Sequence, residues 1–247
     1  MQGRHVRIDS PQLGRPVHLW TYGTFGQPLL AFPSAAGMAH EWDAQGMVEA
    51  LEPWLRAGRL KLYCPESNVA EAWTRDGDPT WKIQRHLAYE RFVLDTLVPA
   101  IEADCRTPGI PLLTAGCSLG ATYAANFALK HPERFRWALC MSGRYEVRHL
   151  TGGYDSADVY YNNPLAYVRN LHGEALDRVR TQANLTLVCG RGAFEGGCIE
   201  ETLALGQWLD HKQIPNETDI WGRDSAHQWP WWRRQLVYHL SRKIPVG

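Results

Sequence analysis

The sequence predicts an α/β fold, with a mainly parallel central sheet covered by helices on both faces. Two observations carry this. Short apolar runs of strand length recur along the 247 residues, separated by stretches of helical periodicity. The segment Gly116-Cys117-Ser118-Leu119-Gly120 also falls between an apolar run and a helical pattern, as the turn of a strand-turn-helix unit does.

Taken in order, Val17, Leu19 and Thr21 alternate as an early strand, and runs 29–32 and 60–64 end at Pro33 and Pro65 as buried strands do. Between residues 84 and 105, Leu87, Leu94, Val98 and Ile101 recur at helical spacing, Leu97 widens the stripe, and Pro99 predicts a kink. A strand over 110–115 leads into Gly116, and a helix follows over 121–131. Strands are expected at 137–141, 185–189 and 217–221, and helices at 199–211 and 231–242. Residues 144–180, rich in Tyr, Asn and Gly, interrupt the alternation. They read as a cap-like excursion over the rim of a site, where Tyr154, Asp155, Tyr160, Tyr161 and Asn162 are candidate pocket residues, or equally as surface packing. No repeat or linker divides the chain, so residues 1–247 read as one domain of a size that buries a substantial core.

Composition narrows function by exclusion. Lys and Arg total 26 and Asp and Glu total 26, so net charge is zero and no basic cluster offers a nucleic acid or an anionic membrane a partner. No apolar run approaches the ~20 residues that cross a bilayer, and residues 1–10 lack a signal-like apolar region, which predicts a cytoplasmic protein. The six cysteines form no C-x-x-C pair; Cys64, Cys140 and Cys189 close apolar strands, and Cys117 should point into packing. No metal-ligand pattern occurs, since His40-Glu41 alone is not a ligand set, and Gly190-x-Gly192 is a poor dinucleotide fingerprint. No cofactor or metal is therefore expected. Small homo-oligomers are common among enzymes of this kind.

Chemistry concentrates in three places. Ser118 sits where an elbow exposes a hydroxyl, and an acid and a histidine follow it in the chain order such folds use. His227 lies on the connection leaving the last strand, the one histidine of ten so placed. The partner that orients its imidazole should leave the preceding strand, and the glycine-rich loop 190–197 contains a single acid, Glu195. Asp224, in the histidine's own loop, is the alternative. Glu200 and Glu201 read as helix N-terminal acids. For the oxyanion of acyl transfer, the backbone N–H of Leu119 is one expected donor, and the loop 33–37 should supply the other, with Ala35 N–H favoured. Ser34 and Trp229 join Tyr160 as candidate substrate-binding residues. Trp229 belongs with Trp73, Trp81, Trp231 and Trp232 to an aromatic set that could wall the site or simply pack the core.

Gly116 to Ala121, the loop bearing Glu195, and Ala226-His227-Gln228-Trp229-Pro230-Trp231-Trp232 together resemble the esterase branch of the α/β-hydrolases, related to esterase D and the antigen 85 acyltransferases. The resemblance spans nearly the whole chain. It implies an α/β-hydrolase fold with Ser118 as nucleophile, His227 as general base and Glu195 as acid. The chain departs from a common pattern at Pro33-Ser34-Ala35, which replaces a His-Gly pair, so the Ser34 hydroxyl is a further candidate for the oxyanion. The expected function is a serine carboxylesterase acting on small to medium acyl esters. The alternatives are an acyltransferase, a thioesterase resembling S-formylglutathione hydrolase, or a binding protein that keeps only the fold.

Overall fold

The computed structural model describes residues 1–246. Eight strands form one sheet: β1 (Arg4–Ser10), β2 (Arg15–Tyr22), β3 (Gln27–Phe32), β4 (Leu60–Pro65), β5 (Leu112–Cys117), β6 (Phe135–Met141), β7 (Leu185–Cys189) and β8 (Asn216–Ile220). Their order across the sheet is β1-β2-β4-β3-β5-β6-β7-β8. β1 with β2 and β2 with β4 are antiparallel, and every other pair is parallel. β1 is a strand the sequence pattern does not announce, because four of its seven residues are charged or histidine and its exposed edge hides little.

Eleven α-helices lie among the described residues: α1 (Glu41–Ala44), α2 (Met47–Ala50), α3 (Glu52–Arg56), α4 (Pro79–Phe92), α5 (Val98–Asp104), α6 (Leu119–Lys130), α7 (Ala157–Tyr160), α8 (Pro164–Tyr167), α9 (Gly173–Gln182), α10 (Cys198–His211) and α11 (Trp229–Lys243). The break expected at Pro99 is a π-helical turn, Val93–Leu97, between α4 and α5. Proline has no N–H and its ring crowds the carbonyl four residues back, so a widened turn immediately before it accommodates both defects.

The alternation of side chains along each strand builds two cores. Leu30 and Phe32 of β3 and Phe135 and Cys140 of β6 pack with Tyr89 and Phe92 of α4 and Tyr123 and Phe127 of α6 on one face. Leu29, Ala31, Trp137 and Leu139 pack with Trp42, Met47, Trp54, Trp232 and Leu236 on the other. β4 and β5 are buried along their whole length, and apart from Lys61 and Thr114 their runs read as apolar for that reason. All six cysteines are free thiols, five of them buried.

Of the two places the sequence left open for the excursion, its middle part takes the packed one. The Asn162 Oδ1 accepts hydrogen bonds from His86 of α4 at 3.1 Å, and from Asn126 at 3.0 Å and Lys130 at 2.9 Å on α6. The Tyr167 hydroxyl donates to Asn126 Oδ1 at 3.0 Å. At 1.5 Å per residue, Asn126 and Lys130 lie about 12 and about 18 Å along the helix from Ser118. This part of the excursion is bonded to the flanks of α4 and α6.

Candidate active site

Ser118 follows β5, the loop from Pro33 follows β3, Ser142 follows β6, Glu195 follows β7 and His227 follows β8. All five leave the carboxyl ends of parallel strands, so they gather on one edge of the sheet. Ser118 holds φ 55° and ψ −124°, a backbone conformation that costs a serine roughly 1–3 kcal/mol. The flanking glycines make the turn possible through contact distance. A Cβ on Gly116 would lie 2.1 Å from the Gly120 carbonyl oxygen, and one on Gly120 would lie 2.5 Å from that of Pro33. The second contact also sets the loop after β3 directly against the first turn of α6.

His227 Nε2 lies 3.0 Å from Ser118 Oγ, and its Nδ1 lies 3.2 Å from Glu195 Oε2. The Glu195 carboxylate is 1 % exposed. Its Oε1 accepts from the Ser142 hydroxyl at 2.7 Å and Gly190 N–H at 3.4 Å, and its Oε2 from the Cys189 thiol at 3.4 Å. Asp224 is exposed, and the imidazole nitrogen it competed for faces Glu195. Close approach explains the glycines of the acid's loop: a Cβ on Gly190 would fall 1.9 Å from the Ser225 carbonyl oxygen, two residues before the histidine. The His227 N–H donates to Ala193 O at 2.9 Å, tying the two loops together.

Ser142, which the sequence did not place, and Trp232, which it left open between site wall and core, complete this arrangement. Ser142, with φ 53° and no exposure, donates to Glu195 and accepts from Trp232 Nε1 at 3.0 Å. The Trp232 ring meets the imidazole edge-to-face, with centroids 4.8 Å apart. Trp229 stacks edge-to-face on Trp232 at 5.0 Å and so stands one ring behind the histidine. The sequence offered one usable signal for Ser142: it ends the strand between those leading to Ser118 and Glu195.

The Leu119 N–H is in the first turn of α6, among the amides a helix leaves without an internal acceptor. In the facing loop, the Ser34 N–H donates to Glu41 Oε2 at 2.6 Å and the Ser34 hydroxyl to Glu41 Oε1 at 2.7 Å. The Ser34 hydroxyl proton is therefore engaged by Glu41, which corrects the expectation that it faces an oxyanion. Ala35 is exposed, and its N–H has no protein acceptor among the described residues. The Tyr160 hydroxyl accepts from Asn170 at 2.8 Å and has no hydrogen bond to Ser118, Glu195 or His227 among the described residues; Tyr160 lies two residues from Asn162, which is bonded to α6. Glu195, Cys198 and His227 each place a donor atom within 4.8 Å of the others. Burial pushes the Cys198 thiol up to about 12, so it packs there as a neutral thiol.

Fold and site together define an α/β-hydrolase with a serine–histidine–glutamate arrangement at the carboxyl edge of its sheet. The chain belongs to the putative esterase family, whose profile matches residues 67–242. Among solved structures it is similar to a ferulic acid esterase, with a TM-score of 0.75, 18 % identity, and coverage of 100 % of this chain and 98 % of that one. It is similar to an S-formylglutathione hydrolase from Agrobacterium tumefaciens, with a TM-score of 0.73, 15 % identity, and coverage of 97 % and 94 %. A fluorophosphonate-binding serine hydrolase of Staphylococcus aureus gives a TM-score of 0.72 at 14 % identity, covering 100 % of both chains. Comparison with curated protein sequences gives no match. Among the described residues no helix is long and apolar enough to cross a membrane.

Proposed function

We propose that this protein hydrolyses carboxylic esters of small to medium acyl length through an acyl-enzyme on Ser118. The observation that carries the reading is the hydrogen-bonded line from Ser118 Oγ through both nitrogens of His227 to the buried carboxylate of Glu195. With Nδ1–H donating to Glu195, Nε2 is the free base beside the hydroxyl. Nε2 takes the Ser118 proton as Oγ bonds to the ester carbonyl carbon, and the carbonyl electron pair moves onto oxygen. The N–H groups of Leu119 and Ala35 are the proposed donors to that oxyanion; one well-placed donor of this kind is worth ~3 kcal/mol. Collapse expels the alcohol oxygen, which leaves with the proton from Nε2. Water then repeats the cycle, releasing the acid and restoring Ser118. The similarity to an S-formylglutathione hydrolase along nearly the whole chain favours a second reading, thioester hydrolysis by the same groups.

Hydrolysis of p-nitrophenyl esters from acetate to octanoate, by the wild type beside Ser118→Ala, tests this. Turnover confined to the wild type, with Ser118 labelled by a fluorophosphonate, is the expected result. Retained turnover in folded Ser118→Ala, or a wild type that neither turns over nor labels, would overturn it.

A further inference from the structure

The loop after β3 has little of its own to hold it, because Pro33 donates nothing and the next four residues are Ser, Ala, Ala and Gly. A count of its amides shows how it is fixed. Gly37 N–H turns back to Ser34 O at 3.1 Å, and Ala36 N–H reaches Ser34 Oγ at 3.4 Å. Ser34 N–H and its hydroxyl both go to Glu41. Both turn bonds in the loop thus pass through Ser34, whose own donors go to one side chain; the far end of the loop is tied separately by Ser67 N–H, which donates to Gly37 O at 2.9 Å. The adjacent residue of α1 acts at the strand end, where Trp42 Nε1 donates to Phe32 O at 3.1 Å.

Glu41 is 6 % exposed, and its hydrogen-bond donors among the described residues belong to Ser34 alone. A buried carboxylate with no cation bonded to it is expensive, and burial raises its proton affinity against the bonds from Ser34. A group of that cost, placed against the loop that packs on the Ser118 turn, requires a reason that packing does not supply.

We propose that Glu41 is the positioning residue of the oxyanion loop: by holding both donors of Ser34, it leaves Ala35 N–H as the amide presented to the substrate oxygen. The proposal rests on the acyl-transfer reading of Ser118 and deepens it. Glu41 touches no substrate; it acts through Ser34. Loss of the clamp should therefore lower the rate of the step that develops oxyanion charge and leave ground-state binding nearly intact.

The test is steady-state kinetics on p-nitrophenyl acetate with Glu41→Ala, Glu41→Gln and Ser34→Ala, each checked for folding by circular dichroism and for active serine by final fluorophosphonate labelling. Glu41→Ala should lower kcat about 10- to 100-fold, on the scale of losing one oxyanion donor, with KM within about twofold. Glu41→Gln should recover most of it, since its carbonyl oxygen accepts the Ser34 N–H and the Ser34 hydroxyl turns to accept from its amide. Ser34→Ala removes one of the two bonds and should lose about 3- to 10-fold in kcat, a milder change that keeps the proposal open to refutation if Glu41→Ala does not fold. The pair Ser34→Ala/Glu41→Ala should be no slower than Glu41→Ala alone. Unchanged kcat in Glu41→Ala or Ser34→Ala, or a loss carried by KM, would overturn the proposal while wild-type labelling leaves the Ser118 reading standing. A wild type that neither labels nor turns over would remove both.

Discussion

Three residues without glycine's freedom hold left-handed φ around the site: Ser118, Ser142 and Phe194, at 55°, 53° and 63°. They differ in what the strained backbone returns. At Ser142 it aims a hydroxyl at Glu195 and receives the Trp232 N–H, so Ser142→Ala leaves the buried Trp232 N–H without its acceptor and Glu195 Oε1 with only the Gly190 N–H, at a cost of about 1–3 kcal/mol. Ser142→Gly loses the same hydroxyl but relaxes the backbone, so it should be more stable than Ser142→Ala by up to about 1 kcal/mol. Urea titration of both variants checks the order, and a glycine variant less stable than the alanine variant would contradict it. Phe194 is 81 % exposed and has little packing to lose. Phe194→Gly should therefore unfold at an equal or higher urea concentration than wild type, a gain of at most about 1 kcal/mol. A clear loss of stability would mean that the ring makes contacts the structure does not contain. The meeting of Ser118, Glu195 and His227 was legible in sequence because each occupies a fixed place in the strand order. Ser142 and Glu41 were not, since Ser142 bonds Glu195 across 53 residues and Glu41 reaches back to Ser34 by bonds that no periodicity or motif marks.

Among the elements, the central strands and their helices were legible for a simple reason: strands buried on both faces are apolar runs, and the helices between them are periodic. β1 escaped because an exposed edge strand needs no apolar pattern. The excursion after β6 was legible as an interruption but not as to place, because the anchors of its middle part are polar. Asn162 is the clearest of these. One side-chain oxygen accepts from His86, Asn126 and Lys130. Its Nδ2 donates back to Asp158 O at 2.9 Å, coupling α7 to the same point. Asn162→Ala leaves those donors, buried or half-buried, without their shared acceptor, and it should cost about 2–4 kcal/mol by the penalty for unsatisfied buried groups. Faster amide exchange over residues 157–167, with that of α6 little changed, is the expected signature. Because these bonds lie along α6 away from Ser118, ester turnover should stay within about threefold of wild type at a temperature where the variant is folded. A large loss of turnover in the folded variant would instead return the excursion to the active-site rim.

For the molecule as a whole, the same polar seam contributes to the response to acid, beside His239, whose proton affinity burial also lowers. Buried His86 has its affinity for a proton lowered from 6.5 to about 4, first by burial and then by the charge of Lys130, against the opposing charge of Glu90 and a bond to Asn162. Burial alone would raise Glu90, but the hydrogen bond with His131 and the charge and hydrogen bond of Lys130 outweigh it, and the carboxyl falls from 4.5 to about 2. Both folded-state values lie below the unfolded ones, so both groups stabilise the fold fully above their unfolded values and lose that contribution as pH falls. For His86 the loss runs from pH 6.5 to about 4, because the unfolded chain takes up the proton first; for Glu90 it runs from pH 4.5 to about 2. Shifts of this size correspond to at most about 3 kcal/mol each. Two successive losses are thus expected, one beginning near neutral pH, where carboxylates alone would leave the curve flat. Urea unfolding of wild type, His86→Asn and Glu90→Gln between pH 7 and 2.5 separates them. His86→Asn should flatten the upper window and Glu90→Gln the lower, each variant starting less stable than wild type at pH 7. Parallel curves for all three proteins would place the acid sensitivity elsewhere in the molecule.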